Sequence, residues 1–147
     1  MQQNIIIAKT FNEARKKIQD AEKPIIFSSN NDELNRQILE KLPINILLIS
    51  QKNKKDFQKQ RDSGFNQVLA KIAKKNSVVI GINLDEIIEA DQKQKAEILA
   101  RIKQNIKLCN KNKLKMKFIS QKNKKDLYDL KSLGLILGMP TWMLKSL

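Results

Sequence analysis

Five short apolar runs, separated by segments of helical period, restrict this sequence more than any other feature. NIIIA, PIIFS, INILLI, SVVIGI and KMKFI place strands at Asn4–Ala8, Pro24–Ser28, Ile44–Ile49, Ser77–Ile82 and Lys115–Ile119. They are mostly apolar rather than alternating, the pattern of parallel strands covered on both faces. The helices between them have readable ends. Thr10 and Glu13 form a capping box ahead of Phe11, Ala14 and Ile18. Asn31 or Asp32 caps a helix to about Lys41, with Leu34, Ile38 and Leu39 inward. Phe65, Val68, Leu69 and Ile72 make a third apolar stripe. The longest helix, about Asp91–Lys111, buries Ile98, Leu99, Ile102, Ile106 and Cys109. A further helix, about Leu127–Leu137, stops at Gly138 and Pro140, and Trp142 packs as a lid in a short terminal segment.

The result is an α/β chain of about five βα units. A closed (β/α)₈ barrel takes about 250 residues, so 147 residues leave a partial TIM-like barrel or an open parallel sheet. No Pro/Gly/Ser-rich linker divides the chain, which reads as one domain over residues 1–147.

Residue types exclude much chemistry. Without histidine, neither a Ser-His-Asp or Cys-His arrangement nor an imidazole-bound zinc is available. The 4 glycines fall in no phosphate-cradling motif. The single cysteine, Cys109, lies on an apolar stripe and reads as core. No run reaches the roughly 18 apolar residues of a membrane span, and the first residues do not read as a signal peptide. A cytoplasmic protein without bound metal or catalytic residues is expected.

The net charge of +14 is unevenly placed: 7 basic against 6 acidic side chains over residues 1–50, and 22 against 9 over residues 51–147. Such asymmetry is the footprint of polyanion binding. The octapeptide ISQKNKKD occurs twice, at Ile49–Asp56 and Ile119–Asp126, each time at a strand end where parallel α/β folds carry functional loops. Lys52, Lys54, Lys55, Lys122 and Lys125 are therefore RNA-contacting candidates. Arg101, Lys103 and Lys107 on the long helix join them, with Arg101 and Asn105 expected to share one side, opposite or beside the apolar stripe. Exposed strand aromatics for base stacking are missing, which favours recognition of backbone charge and shape. Asp85, Glu86 and Glu89 allow an alternative, a carboxylate-dependent metal nuclease, although Asn83 and Glu86 also read as a helix cap and its partner. A generic basic scaffold is the third possibility.

Four collinear blocks resemble the archaeal ribonuclease P protein component 3 family. NNDELNRQILEKLPINILLIS is similar to its D-x-x-x-N-R … V-D-I-L segment through Asp32, Asn35, Arg36 and Ile44–Leu48, with Asn45 where the family tends to have Asp. RDSGFNQVLAKIAKK resembles a second block through Ser63, Gly64, Asn66, Val68 and Leu69. AEILARIKQNIKLCNK resembles the long basic helix, and DLKSLGLILGM the closing block through Asp129, Leu130, Leu133, Gly134, Gly138 and Met139. The family's first βα units lack a counterpart in this sequence. Its S-S-G-A strand end and following Arg-Ser-Pro are replaced by Ser120–Asn123 and Lys125–Leu127, so arginine's bidentate fork is lost there. The resemblance implies a non-catalytic RNA-binding subunit, adding Arg36 and Arg61 to the RNA-contacting set. Its implied partners are the RNase P RNA, precursor tRNA and a small ferredoxin-like protein. No cofactor is implied on the protein itself; Mg²⁺ enters through the RNA.

Overall fold

A computed structural model describes residues 4–52 and 62–147. The strands are β1 (Ile5–Ile7), β2 (Ile26–Ser28), β3 (Ile46–Ile49), β4 (Val79–Asn83) and β5 (Met116–Ile119). The helices are α1 (Phe11–Gln19), α2 (Asp32–Lys41), α3 (Gln67–Lys75), α4 (Leu84–Glu89), α5 (Gln92–Lys111), α6 (Leu127–Ile136) and α7 (Thr141–Lys145). Local chemistry sets most helix starts. Thr10, Asn31, Asn66, Asn83, Asp91 and Asp126 each accept the N–H three residues on, satisfying a donor that the first helical turn leaves open. Gly138, at φ +97, takes the left-handed turn that closes α6.

The strands form one parallel sheet in the order β1-β2-β3-β4-β5. A doubly wound sheet would reverse its order at a switch point. Sequential order instead matches a segment of a (β/α) barrel. Asn45 helps set the register: its Oδ1 accepts the Ile25 N–H at 2.8 Å, and its backbone pairs with Ile25 and Val79. That bond needs only an acceptor oxygen, so Asn serves where the resembled family tends to have Asp.

Side chains alternate between two cores. Phe27, Leu47, Ile49, Ile80, Ile82, Met116 and Phe118 meet the helices, including Ile38 and Leu39 of α2, Leu69 and Ala73 of α3, and Ile102, Ile106 and Cys109 of α5. On the other face Ile26, Ile46, Leu48 and Ile119 pack together with Ile5 and Val79; among the described residues this second cluster holds strand residues only. The strands are thus apolar on both faces, but helices pack on one.

Three expectations change in detail. Val68 is 52% exposed, because with α3 starting at Gln67 the packed face is Leu69, Ala70 and Ala73. Residues 84–89 form a separate short helix, α4, ahead of α5. Trp142 is half-buried and ties α7 to α5 by donating its Nε1 hydrogen to Asn110 Oδ1 at 3.0 Å. No described helix is long and apolar enough to cross a membrane.

Gly81 sits where the inner cluster closes. A Cβ there would lie 3.1 Å from Ile46 Cγ2 and 3.2 Å from both Leu48 Cδ1 and Ile119 Cγ1. Gly81→Val should overpack this face and cost about 1–3 kcal/mol. Urea unfolding checks it; an unchanged midpoint would show that the inner face has slack.

Candidate nucleic-acid interface

The two copies of the octapeptide meet adjacent carboxylates. β4 lies between β3 and β5, so the loops that follow β3 and β5 flank the first turn of α4. Glu86 accepts hydrogen bonds from Ser50 Oγ, from the Gln51 amide at 2.8 Å and from the Lys52 amide at 3.1 Å. Asp85 accepts from Ser120 Oγ at 3.1 Å and from the amides of Gln121, Lys122 and Asn123 at 2.8, 3.3 and 2.9 Å. Asn123 Nδ2 adds a bond to Asp85 at 3.0 Å. Ser-Gln-Lys is therefore gripped the same way twice: hydroxyl and two successive amides converge on one carboxylate. Loops on strands two apart stand about 10 Å from each other, and Lys52 and Lys122 are exposed at this shared edge.

The grip accounts for the acidic cluster. Burial raises the Asp85 pKa, but the amides of Gln121 and Asn123, the Asn123 side chain and the Lys122 amide together outweigh it and hold the carboxyl at about 2. A cation at Asp85 would have to displace five donors, and Glu86 reaches the β3 loop rather than back to its cap. Among the described residues no group of three or more Asp, Glu, Cys or His could hold a metal ion. The carboxylates shape loops, and the metal-nuclease alternative has no geometry supporting it here. Cys109 is fully buried and its thiol is pushed up to about 12 by desolvation, as befits a packing residue.

The predicted cations are not one patch. Lys52, Lys122 and Lys125 lie exposed on the two loops. Lys103 and Lys107 are exposed along α5, beside a groove lined also by Ala96, Leu99, Ala100 and Gln104. Arg36 stands apart on the outer face of α2, paired with Glu40 at 3.2 Å. Lys54, Lys55 and Arg61 lie outside the described residues.

Arg101 and Asn105 correct the expected outward face. They are each 3% exposed, turned in with Ile98, Ile102 and Ile106, because positions 98, 101, 102, 105 and 106 share one helical side. Asn105 Nδ2 approaches the Ser63 carbonyl at 3.4 Å, and buried Gln51 donates to that carbonyl at 2.8 Å. Asn35, also buried, donates to the Ser29 carbonyl at 3.0 Å. Residues carrying the resemblance therefore tie loops to helices from inside. Gln51 is buried while Gln121 is exposed, so the repeat is equivalent in backbone and different in side-chain use.

The carboxylate grip has a pH signature. Asp85 is lowered from an ordinary 3.8 to about 2, so between these values the folded chain binds fewer protons than the unfolded one. Its stabilisation is present above about pH 4 and fades as the pH falls toward 2. Asp85→Asn should lower Tm at pH 6 yet lose less on acidification from pH 5 to 3 than the unmodified chain. Thermal unfolding followed by circular dichroism measures both, and parallel acid curves for the two proteins would refute the assignment.

Comparison with known proteins follows the same lines. No family profile matches the chain. Ribonuclease P protein component 3 of Methanosarcina mazei is 32% identical over 108 residues, which cover 74% of this chain and 41% of that relative. Its counterpart in Methanosarcina acetivorans is 34% identical over 87 residues, covering 59% of this chain and 34% of the relative. The chain thus spans less than half the length of the curated relatives it matches. A chain in a cryo-EM structure of archaeal ribonuclease P with mature tRNA superposes with a TM-score of 0.79 at 23% identity, over 95% of this chain and 61% of that one. Across the region they share, the sequence described here is homologous to ribonuclease P protein component 3.

Proposed function

We propose that this chain is a non-catalytic RNA-binding subunit of ribonuclease P, supporting the RNA that matures the 5′ end of precursor tRNA. The observation that carries the reading is the pair of lysine-bearing loops held at one sheet edge by Asp85 and Glu86. Loops fixed through backbone amides keep their lysine side chains free for phosphate oxygens, which need positive charge but no base-reading geometry. Neutralising phosphates there lowers the cost of compacting an RNA and of keeping its own Mg²⁺ sites occupied. On this reading the protein binds no cofactor, and it works in the cytoplasm beside its RNA.

The homology to component 3 also supports a small ferredoxin-like protein as partner. The exposed Leu127, Tyr128, Leu135 and Ile136 of α6 are apolar surface available to it. Stoichiometry of the purified pair tests that partner directly: a complex should form, and its absence would remove the partner from the proposal.

Cleavage of precursor tRNA by the cognate RNA should be stimulated by the protein at low Mg²⁺; no stimulation would overturn the subunit reading. Replacing Lys52, Lys122 and Lys125 together by Gln should weaken RNA binding about tenfold and flatten the salt dependence by about two to three log units per log unit. Filter binding across a salt series gives both numbers, and unchanged values would show these loops to be merely solvated.

A further inference from the structure

A second basic site lies at the opposite end of the sheet, outside every residue so far placed in the interface. α3 and α5 both end there, in the same turn. Val78 N–H bonds the Ala73 carbonyl at 2.9 Å, and Leu114 N–H bonds the Cys109 carbonyl at 2.8 Å. In each turn the preceding residue takes the left-handed conformation that usually falls to glycine: Ser77 at φ 55 and Lys113 at φ 56. Lys74 Nζ donates to the Lys113 carbonyl at 3.0 Å and joins the two turns. Between them is a cavity of about 300 Å³ lined by Lys74, Ser77, Val78, Val79, Lys113, Leu114 and Lys115.

The two stretches that build this cavity carry charge of one sign. No Asp or Glu occurs between Asp62 and Asp85 or between Glu97 and Asp126, the two stretches that build it. Lys74, Lys75, Lys111, Lys113 and Lys115 are all exposed there. Helix dipoles favour cations in a last turn, which accounts for Lys74, Lys75 and Lys111. Lys113 and Lys115 lie beyond the helix, and the dipole does not require them. Lys113 also stands over the Trp142 ring, 5.6 Å from its centroid.

The site is continuous with the interface. Lys103, Lys107 and Lys111 are exposed at i, i+4 and i+8 on α5, each about 6 Å further along the axis. This row runs from the α5 groove to the basal cavity. Lysines with a hydroxyl, and without arginine forks or stacking aromatics, suit phosphate oxygens rather than bases.

We infer that this basal cavity binds the phosphate backbone of an RNA strand that follows the lysine row of α5, a second contact distant from the loops at the other edge. The inference rests on the reading of this chain as an RNA-binding protein. The test measures binding of RNase P RNA across a salt series by the unmodified protein and three variants. Lys74→Gln/Lys113→Gln/Lys115→Gln should bind about tenfold more weakly, with the slope of log affinity against log salt reduced by about two. Lys111→Gln/Lys115→Gln keeps the Lys74 bond to the Lys113 carbonyl and should lose about threefold, so the effect is read even if the triple variant folds poorly. Arg15→Gln/Lys16→Gln/Lys23→Gln removes equal charge from the exposed surface of the first third and should change affinity less than twofold. Affinity and slope unchanged in both basal variants, with the unmodified protein binding, would overturn the basal site alone. Equal losses in the basal triple and the Arg15 triple would reduce it to net charge and also overturn it. Failure of the unmodified protein to bind would overturn the RNA reading and this inference together.

Discussion

Two neighbouring carboxylates hold the loops after β3 and β5 together at one edge of the sheet. Asp85 and Glu86 occupy the first turn of α4, where negative charge is favoured by the exposed N–H groups of the helix start. Because β4 runs between β3 and β5, the two side chains reach in opposite directions to two loops of the same sequence. Charge-assisted bonds from amides to a carboxylate are among the stronger hydrogen bonds. They fix the backbone of Ser50–Lys52 and of Ser120–Asn123 against α4.

That arrangement divides labour within a short peptide. Backbone and serine bind the protein, and the described lysines Lys52, Lys122 and Lys125 are exposed. The same division recurs at the sheet base, where the backbone of two left-handed turns forms the cavity and lysines surround it. Among the described residues, exposed lysines at the two ends of the sheet are connected along α5 by Lys103, Lys107 and Lys111. A polyanion crossing from one end to the other would meet no acidic side chain on that row.

Much of the fold was legible from residue pattern. All five strands and the five longer helices lie close to where apolar period, capping residues and Gly138 place them. Val68 shows the limit: a stripe drawn from apolar identity put it inward, whereas the cap at Asn66 set the helix phase and chose Ala70 and Ala73. Arg101 shows another, since a charged residue next to an apolar stripe reads as a boundary and here falls inside it. The basal lysines lie at the starts of β4 and β5, away from the strand ends that the lysine repeat marks; in the sequence only the long acid-free stretches point to them.

The sequence by itself determined the element types, the parallel α/β class, the absence of histidine and the uneven charge, since each follows from local period, capping and residue identity. Only the tertiary structure decided what the acidic residues do. Asp85 meets donors 35 to 38 residues away, and Glu86 meets donors 34 to 36 residues away on the other side. Helical and strand periods say which residues share a face; they do not say which distant backbone amides will arrive opposite it. Strand order supplies that information, and here it turned a suspected metal site into the clasp of two lysine loops.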